Sequence, residues 1–520
     1  MKTTTHNKRR TYFKNSGLCV LLLIALTSIS PRLSPAATII SGNVSGVWPP
    51  TGNPYLIADT AIIPSSQTLT IEPGVDIIVG SNIQFMVEGT MLAVGTRALP
   101  IRFHGASPSN YWMNLRLNWN PGNAKSRFVN CQFSDAQTGI RMIIETVDGQ
   151  KSMEVDVLDT SFTNILGPCV YGRSLGQAHW VGGVSGGIGL GFPNLKPMIN
   201  GCRFSGAPIG CYFVSYGEYY SNPGGSTVYS HGTVNPNIAN CYFSKMTNAA
   251  IAFDQTQYSD PATPTIHNNI IVGSTNGIMI NRLSGGVANV SPEVNNNVFY
   301  RNHQAVSLSD FSDATVQNNI FVANSNGIVR TGSLASRVEY NCFNNNLRHF
   351  VGYPASYGQM ILFNQNGTPC DMLMNIIQDP ILEDTNSFRL LPTSPCVDAG
   401  SPKKHLRDGC FPPSLGTGIN DQGAYGGLEA CNWLEVTPKV PAELEISIIS
   451  KTNVNLKWNA IPRSEYQIVY NTNLVTTNWH SLSNGWKRIE LVTNAITITK
   501  SPLKTNLFYR IKSLGRTPGY

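Results

Sequence analysis

Two glycine-rich stretches, 172–198 and 214–237, hold the side chains best suited to meeting a sugar. The first offers Arg173, His179 and Trp180, and the second Tyr216, Glu218, Tyr219, Tyr220, Tyr229 and His231. Flat aromatic faces stack on the apolar faces of pyranose rings, while carboxylate, amide and imidazole groups hydrogen-bond hydroxyls. The chemistry expected is therefore recognition of polysaccharide. The competing expectation is that these rings pack the loops onto the body of the protein. Neither stretch names a catalytic residue. No close pair of Cys and His has the spacing of metal ligands, so no metal site is expected and no cofactor is evident.

The elements that position these stretches follow from a phrase repeated eight times between Phe128 and Phe350. It reads Phe128-Val-Asn-Cys-Gln-Phe133, Val157-Leu-Asp-Thr-Ser-Phe162, Ile199-Asn-Gly-Cys-Arg-Phe204 and Ile238-Ala-Asn-Cys-Tyr-Phe243, then Ile266-His-Asn-Asn-Ile-Ile271, Val294-Asn-Asn-Asn-Val-Phe299, Val316-Gln-Asn-Asn-Ile-Phe321 and Val338-Glu-Tyr-Asn-Cys-Phe343. From one Phe position to the next the chain runs 29, 42, 39, 28, 28, 22 and 22 residues. Repeats of that length without helical periodicity build a stacked solenoid of parallel strands. A second inward position is expected seven residues after each Phe, at Ile140, Cys169, Cys211, Ala250 or Ile251, Ile278, Val306, Ile328 and Phe350. Two strands per coil follow, with Asn side chains stacked at the bend and a continuous stack of Phe rings. The two longest coils are those that contain 172–198 and 214–237. Those stretches leave the same edge of consecutive coils and must be neighbours.

The chain opens with Lys8, Arg9, Arg10 and Lys14, an apolar run Leu18 to Leu26, and Ser34-Pro-Ala36, the three parts of an export signal over 1–36. That run is too short to span a bilayer, and no later stretch predicts a transmembrane segment. Removing 1–36 removes six of the 37 Lys and Arg, leaving 31 basic residues against 30 acidic ones. A mature charge near +1 gives no support to a nucleic-acid partner. A secreted protein, extracellular or at the cell surface and monomeric, is expected. Of the ten cysteines left after export, Cys131, Cys202 and Cys241 share a repeat position and read as buried thiols, although neighbouring coils are close enough for bonds. Cys410 and Cys431 bracket an irregular Gly-rich segment, and a disulfide between them is expected.

Upstream, Leu69-Thr-Ile-Glu-Pro-Gly-Val-Asp-Ile-Ile-Val79 and Ile83-Gln-Phe-Met-Val-Glu-Gly-Thr-Met-Leu-Ala-Val-Gly95 alternate with period two. Downstream come Asp379-Pro-Ile-Leu, Phe388-Arg-Leu, Ser394-Pro-Cys-Val-Asp-Ala-Gly400 and Asn420-Asp-Gln-Gly-Ala-Tyr-Gly-Gly427. These segments resemble the opening coils and closing segment of bacterial right-handed parallel β-helix repeat proteins of the pectin-lyase-like superfamily. The expectation is an all-β chain with a right-handed parallel β-helix over 37–433, capped at its ends. After a linker at 434–443, the alternating strands of 444–515 resemble a small fibronectin type III-like β-sandwich.

The superfamily includes polysaccharide lyases and glycoside hydrolases, and this resemblance carries its own expectations. A lyase would need calcium held by carboxylates, here Glu145, Asp148, Glu218, Asp254 and Asp260, with Arg141 or Arg173 as base. Nothing in their spacing selects them. The hydrolase pattern of adjacent aspartates and Gly-His-Gly is missing, since the chain contains neither. A non-catalytic polysaccharide binder is the leading expectation, a lyase or hydrolase the alternative, and a structural surface protein or adhesin the third.

Overall fold

The computed structural model describes residues 37–181, 187–221, 227–255, 261–282, 290–309, 313–332 and 336–436, together with strands between Glu445 and Arg516. The expected signal over 1–36 lies outside the described residues. From Thr38 to Val351 the chain winds as a parallel β-helix, and each coil contributes three strands rather than the two expected. The first sheet takes Cys131–Ala136, Ser161–Ile165, Arg203–Ser205, Tyr242–Ser244, Ile270–Val272, Val298–Tyr300, Ile320–Val322 and Cys342–Asn344. The second takes Ile140–Thr146, Pro168–Gly176, Ile209–Gly217, Ala249–Gln255, Asn276–Arg282, Gln304–Leu308, Asn326–Arg330 and Arg348–Val351. The third runs from Ser126–Val129 and Gly149–Leu158 through Gly187–Asn200 to Arg337–Glu339. The upstream coils follow the same plan from Tyr55–Ile63 onward.

The third strand arises inside the repeated phrase. Its third residue, at Asn130, Asp159, Gly201, Asn240, Asn268, Asn296, Asn318 and Tyr340, has a left-handed backbone, with φ between 48° and 69°. Asn, Asp and Gly tolerate that conformation best, and a corner there puts the first apolar residue of the phrase on one sheet and its Phe on the next. A second left-handed corner falls two residues after each Phe position, at Asp135, Asn164, Gly206, Lys245, Gly273, Arg301, Ala323 and Asn345.

The Phe register holds from Phe103 through Phe133, Phe162, Phe204 and Phe243, with adjacent rings stacked at 4.5 to 5.2 Å. Ile271 interrupts the stack, which resumes as Phe299, Phe321 and Phe343 at 4.8 Å. The second inward row pairs Ile140, Val170, Cys211, Ile251, Ile278, Val306, Ile328 and Phe350. Val170 takes the place expected for Cys169, because the coil after Phe162, like that after Phe243, carries one extra residue before its second strand.

The fourth position of the phrase points inward and is fully buried. In the later coils it forms an amide ladder, with Asn269, Asn297, Asn319, Asn341 and Asn375 each donating Nδ2 to the next residue's Oδ1 at about 3 Å, until Asn375 meets the Asp371 carboxylate. Asn302, Asn324 and Asn346 build a second ladder. In earlier coils the position holds Cys131, Cys202 and Cys241, which are buried free thiols.

The closing segment does more than cap the end, for it runs back along the flank of the first sheet. The Gln422 side chain donates to Tyr340 O, Gly423 N to Asn318 O at 2.7 Å, Asn296 Nδ2 to Asp421 O, and Asn268 Nδ2 to Gly426 O. Trp433 Nε1 reaches Asn268 O at 2.8 Å. The left-handed asparagines that turn the coils therefore also hold this strap. Ile270, Val298, Ile320 and Cys342 are buried beneath Phe388, Ala399, Tyr425 and Trp433. A disulfide joins Cys410 to Cys431 within it. Burial pushes the Asp408 and Asp421 carboxyls up, to about 8 and about 7, while both accept backbone N–H groups.

A 3-10 helix, Leu428–Val436, runs from the end of the expected β-helix region into the expected linker at 434–443. Beyond it, Glu445–Ile448, Asn453–Asn459 and Thr493–Thr499 form one antiparallel sheet. Ser464–Asn471, His480–Arg488 and Phe508–Arg516 form another.

Candidate functional site

The stretches expected as loops are β-hairpins. Ala178–Val181 pairs antiparallel with Gly187–Leu190, and on the next coil Tyr219–Ser221 pairs with Thr227–Tyr229. Hydrogen bonding between the two legs satisfies the backbone of each arm without burial in the solenoid. The tips, 182–186 and 222–226, lie outside the described residues.

The bases of the two arms are bonded to each other. Gly176 O accepts from Glu218 N at 3.1 Å and from the buried Ser230 hydroxyl, while Glu218 Oε2 accepts from Ala178 N at 3.3 Å. His231 N donates to Gly191 O and Gly232 N to Tyr216 O. A Cβ on Gly191 would lie 1.7 Å from Thr146 O, so only glycine permits this approach of coils. The adjacency expected from coil lengths is realised through these backbone contacts.

The nine candidate residues divide into two groups. Trp180, Tyr219 and Tyr229 are 44%, 57% and 40% exposed, and His179 and Glu218 are exposed beside them. Tyr219 and Tyr229 face each other across the second arm, with ring centroids 6.5 Å apart. Trp180, Tyr219 and Tyr229 thus give the two adjacent arms an exposed aromatic platform. Arg173, Tyr216, Tyr220 and His231 are half-buried. The Arg173 guanidinium lies 5.3 Å over the Tyr216 ring and 3.4 Å from Glu145, and His231 stacks on Phe192 at 6.0 Å. Exposure and packing therefore fall on different members of the set.

The carboxylates considered for a lyase are dispersed. Glu145 faces Arg173, Asp148 pairs with Lys151 at 3.3 Å, and Asp254 accepts from the Tyr212 hydroxyl and from Asn281. Burial, with the bond to Asp254 second, raises the Tyr212 pKa. Arg141 stacks 4.8 Å over Tyr171. Asp260 lies outside the described residues. The sequence reading overlooked a groove beside Trp119, whose signal was a Trp-Asn-Pro-Gly turn following an alternating strand.

The buried thiols meet in pairs, Cys202 beside Cys241 and Cys342 beside Cys396. Among the described residues, no group of three or more His, Cys, Asp or Glu could hold a metal ion. Cys370 Sγ lies 3.6 Å from Met374 Sδ, and burial raises the thiols of Cys202, Cys211 and Cys396. A raised thiol yields little thiolate, the form that binds metal. The half-buried His267 is held between Asn268 and Asn237, and desolvation lowers its pKa. No described helix is long and apolar enough to cross a membrane.

No match to this chain is found among curated proteins. A family model described as "Periplasmic copper-binding protein (NosD)" matches residues 201–380. Among the described residues of that span no three such groups gather, so it offers a copper ion no more than a pair of buried thiols.

Proposed function

We propose that this protein is an exported, non-catalytic β-helix that binds polysaccharide through the arms within 172–237. The observation that carries the reading is the exposed platform of Trp180, Tyr219 and Tyr229 on two arms locked together at their bases. Rings held on paired strands lose little freedom on binding, which favours affinity. The half-buried Arg173, Tyr216 and His231 brace that platform. The family match over 201–380 supports placing the mature chain outside the cytoplasm, and the near-neutral mature charge fits a glycan better than a nucleic acid. The enzyme reading has less support, because each described carboxylate considered for it has its own partner.

The test is a panel of acidic and neutral glycans, with and without calcium, following retention, new reducing ends and unsaturated products. Retention on one glycan without product supports the binder. Product formation assigns a lyase or hydrolase, and silence throughout leaves the adhesin class.

A further inference from the structure

The same corner of the solenoid carries a second concavity, two coils upstream of the first arm. A groove of about 240 Å³ opens between strand Asn114–Asn118 and strand Gly149–Leu158, lined by Leu117, Trp119, Asn120, Lys125, Ser152 and Glu154. We infer that this groove is a subsite for one neutral pyranose unit, an inference that rests on the polysaccharide reading and extends it.

The groove is built. Trp119 Nε1 donates to Ser152 O at 3.0 Å, which ties the indole to the adjacent coil and fixes its plane. Glu88 gathers three amides, accepting from Asn118 and Asn120 with its carboxylate and from Asn123 with its backbone oxygen. A ring held in place beside fixed amides is preorganised to stack a sugar and orient its hydroxyls. Among the described residues, the Ser152 hydroxyl and the Glu154 carboxylate have no hydrogen-bond or ion-pair partner, so both stand ready for hydroxyl groups. The charges argue for a neutral ligand. Lys125 is held by Asp156 at 2.9 Å, and Glu154 offers the opposite sign, so neither a polyanion nor a polycation is favoured.

Position links the groove to the arms. Strand Gly149–Leu158 pairs residue for residue with Gly187–Asn200, with Ser152 beside Asn194 and Glu154 beside Lys196. The strand that floors the groove thus lies next to the strand that forms one leg of the first arm. Successive rungs stand about 4.8 Å apart, so a chain lying along this corner meets the groove and then the arms.

The test uses the full mature protein and three neutral hexasaccharides, of cello-, manno- and xylo- type, followed by tryptophan fluorescence and calorimetry. Saturable binding of one is expected, weakened about tenfold by Trp119→Ala and about threefold by Glu154→Gln, with Trp119→Phe retaining most of it. Absence of saturable binding to all three overturns the inference, as does unchanged affinity in Trp119→Ala with an unaltered melting temperature. Should Trp119→Ala fail to fold, the exposed Glu154→Gln decides, and unchanged affinity there overturns it. The double variant Trp180→Ala/Tyr219→Ala separates the two readings. If it still holds polysaccharide while hexasaccharide binding depends on Trp119, the arms lose their role and the subsite stands. If the arms hold polysaccharide and no hexasaccharide binds, the subsite alone falls.

Discussion

The coils from Thr265 to Asn344 and those from Gly149 to Ala239 share one register, yet they solve opposite problems. In the later coils the turns are short, the interior carries amide ladders, and the strap from Ser394 to Trp433 covers the first sheet. In the earlier coils the fourth position holds Cys or Thr, and the chain is spent on two arms that present aromatic rings to solvent. The repeat thus sets the scaffold, whereas departures from its length build the exposed arms proposed to meet a partner.

The comparison breaks most sharply at Asn319. This buried residue donates to Val294 O, Gln317 O and Asn341 Oδ1 and accepts from Asn297 N and Nδ2. Asn319→Ala strands these groups away from water and should cost roughly 3 to 5 kcal/mol in urea unfolding. Next comes the strap, since Cys410→Ser opens a disulfide spanning 21 residues and should cost about 3 kcal/mol. Amide exchange in that variant should rise at Asn268, Asn296 and Asn318 and stay unchanged in the arms. The arms should show the reverse behaviour. Trp180→Ala/Tyr219→Ala should move stability by less than about 0.5 kcal/mol, as expected for exposed side chains, while abolishing retention on the bound glycan.

The smallest effect concerns His104 and Asp76, 3.2 Å apart at the surface of the upstream coils. The hydrogen bond between them raises the His104 pKa above 6.5 and lowers that of Asp76 below 3.8. The His104 contribution is full below 6.5 and fades as pH rises through its raised folded value. The Asp76 contribution is present above 3.8 and fades as pH falls through its lowered folded value. His104→Gln should therefore cost most between those two values, by about 0.5 kcal/mol, and less on either side. A difference that stays unchanged on either side of that range contradicts the pairing.

Much of the scaffold was legible because one residue type recurred where one geometry recurred. Phe133, Phe162, Phe204, Phe243, Phe299, Phe321 and Phe343 marked a register that the strand pairing follows. Three strands per coil were harder to read, because segments as short as Thr265–His267 are below the length at which alternation shows. The signal that was present lay in the Asn, Asp or Gly at the third position of the phrase, residues suited to a left-handed corner. Cys169 was misplaced by one residue because the extra residue before its strand leaves no mark in composition. The strap was read as a cap because its partners, Asn268, Asn296 and Asn318, lie about 100 residues or more upstream, beyond any local pattern. The arms were located by coil length, but their hairpin pairing and the division of their residues into platform and brace needed the third dimension.

Hydrogen–deuterium exchange with and without the retained glycan tests the central claim most directly. The account predicts new protection in 178–190 and 219–229, with none in 293–339. Protection in the ladder coils, or none anywhere at saturating glycan, would contradict it.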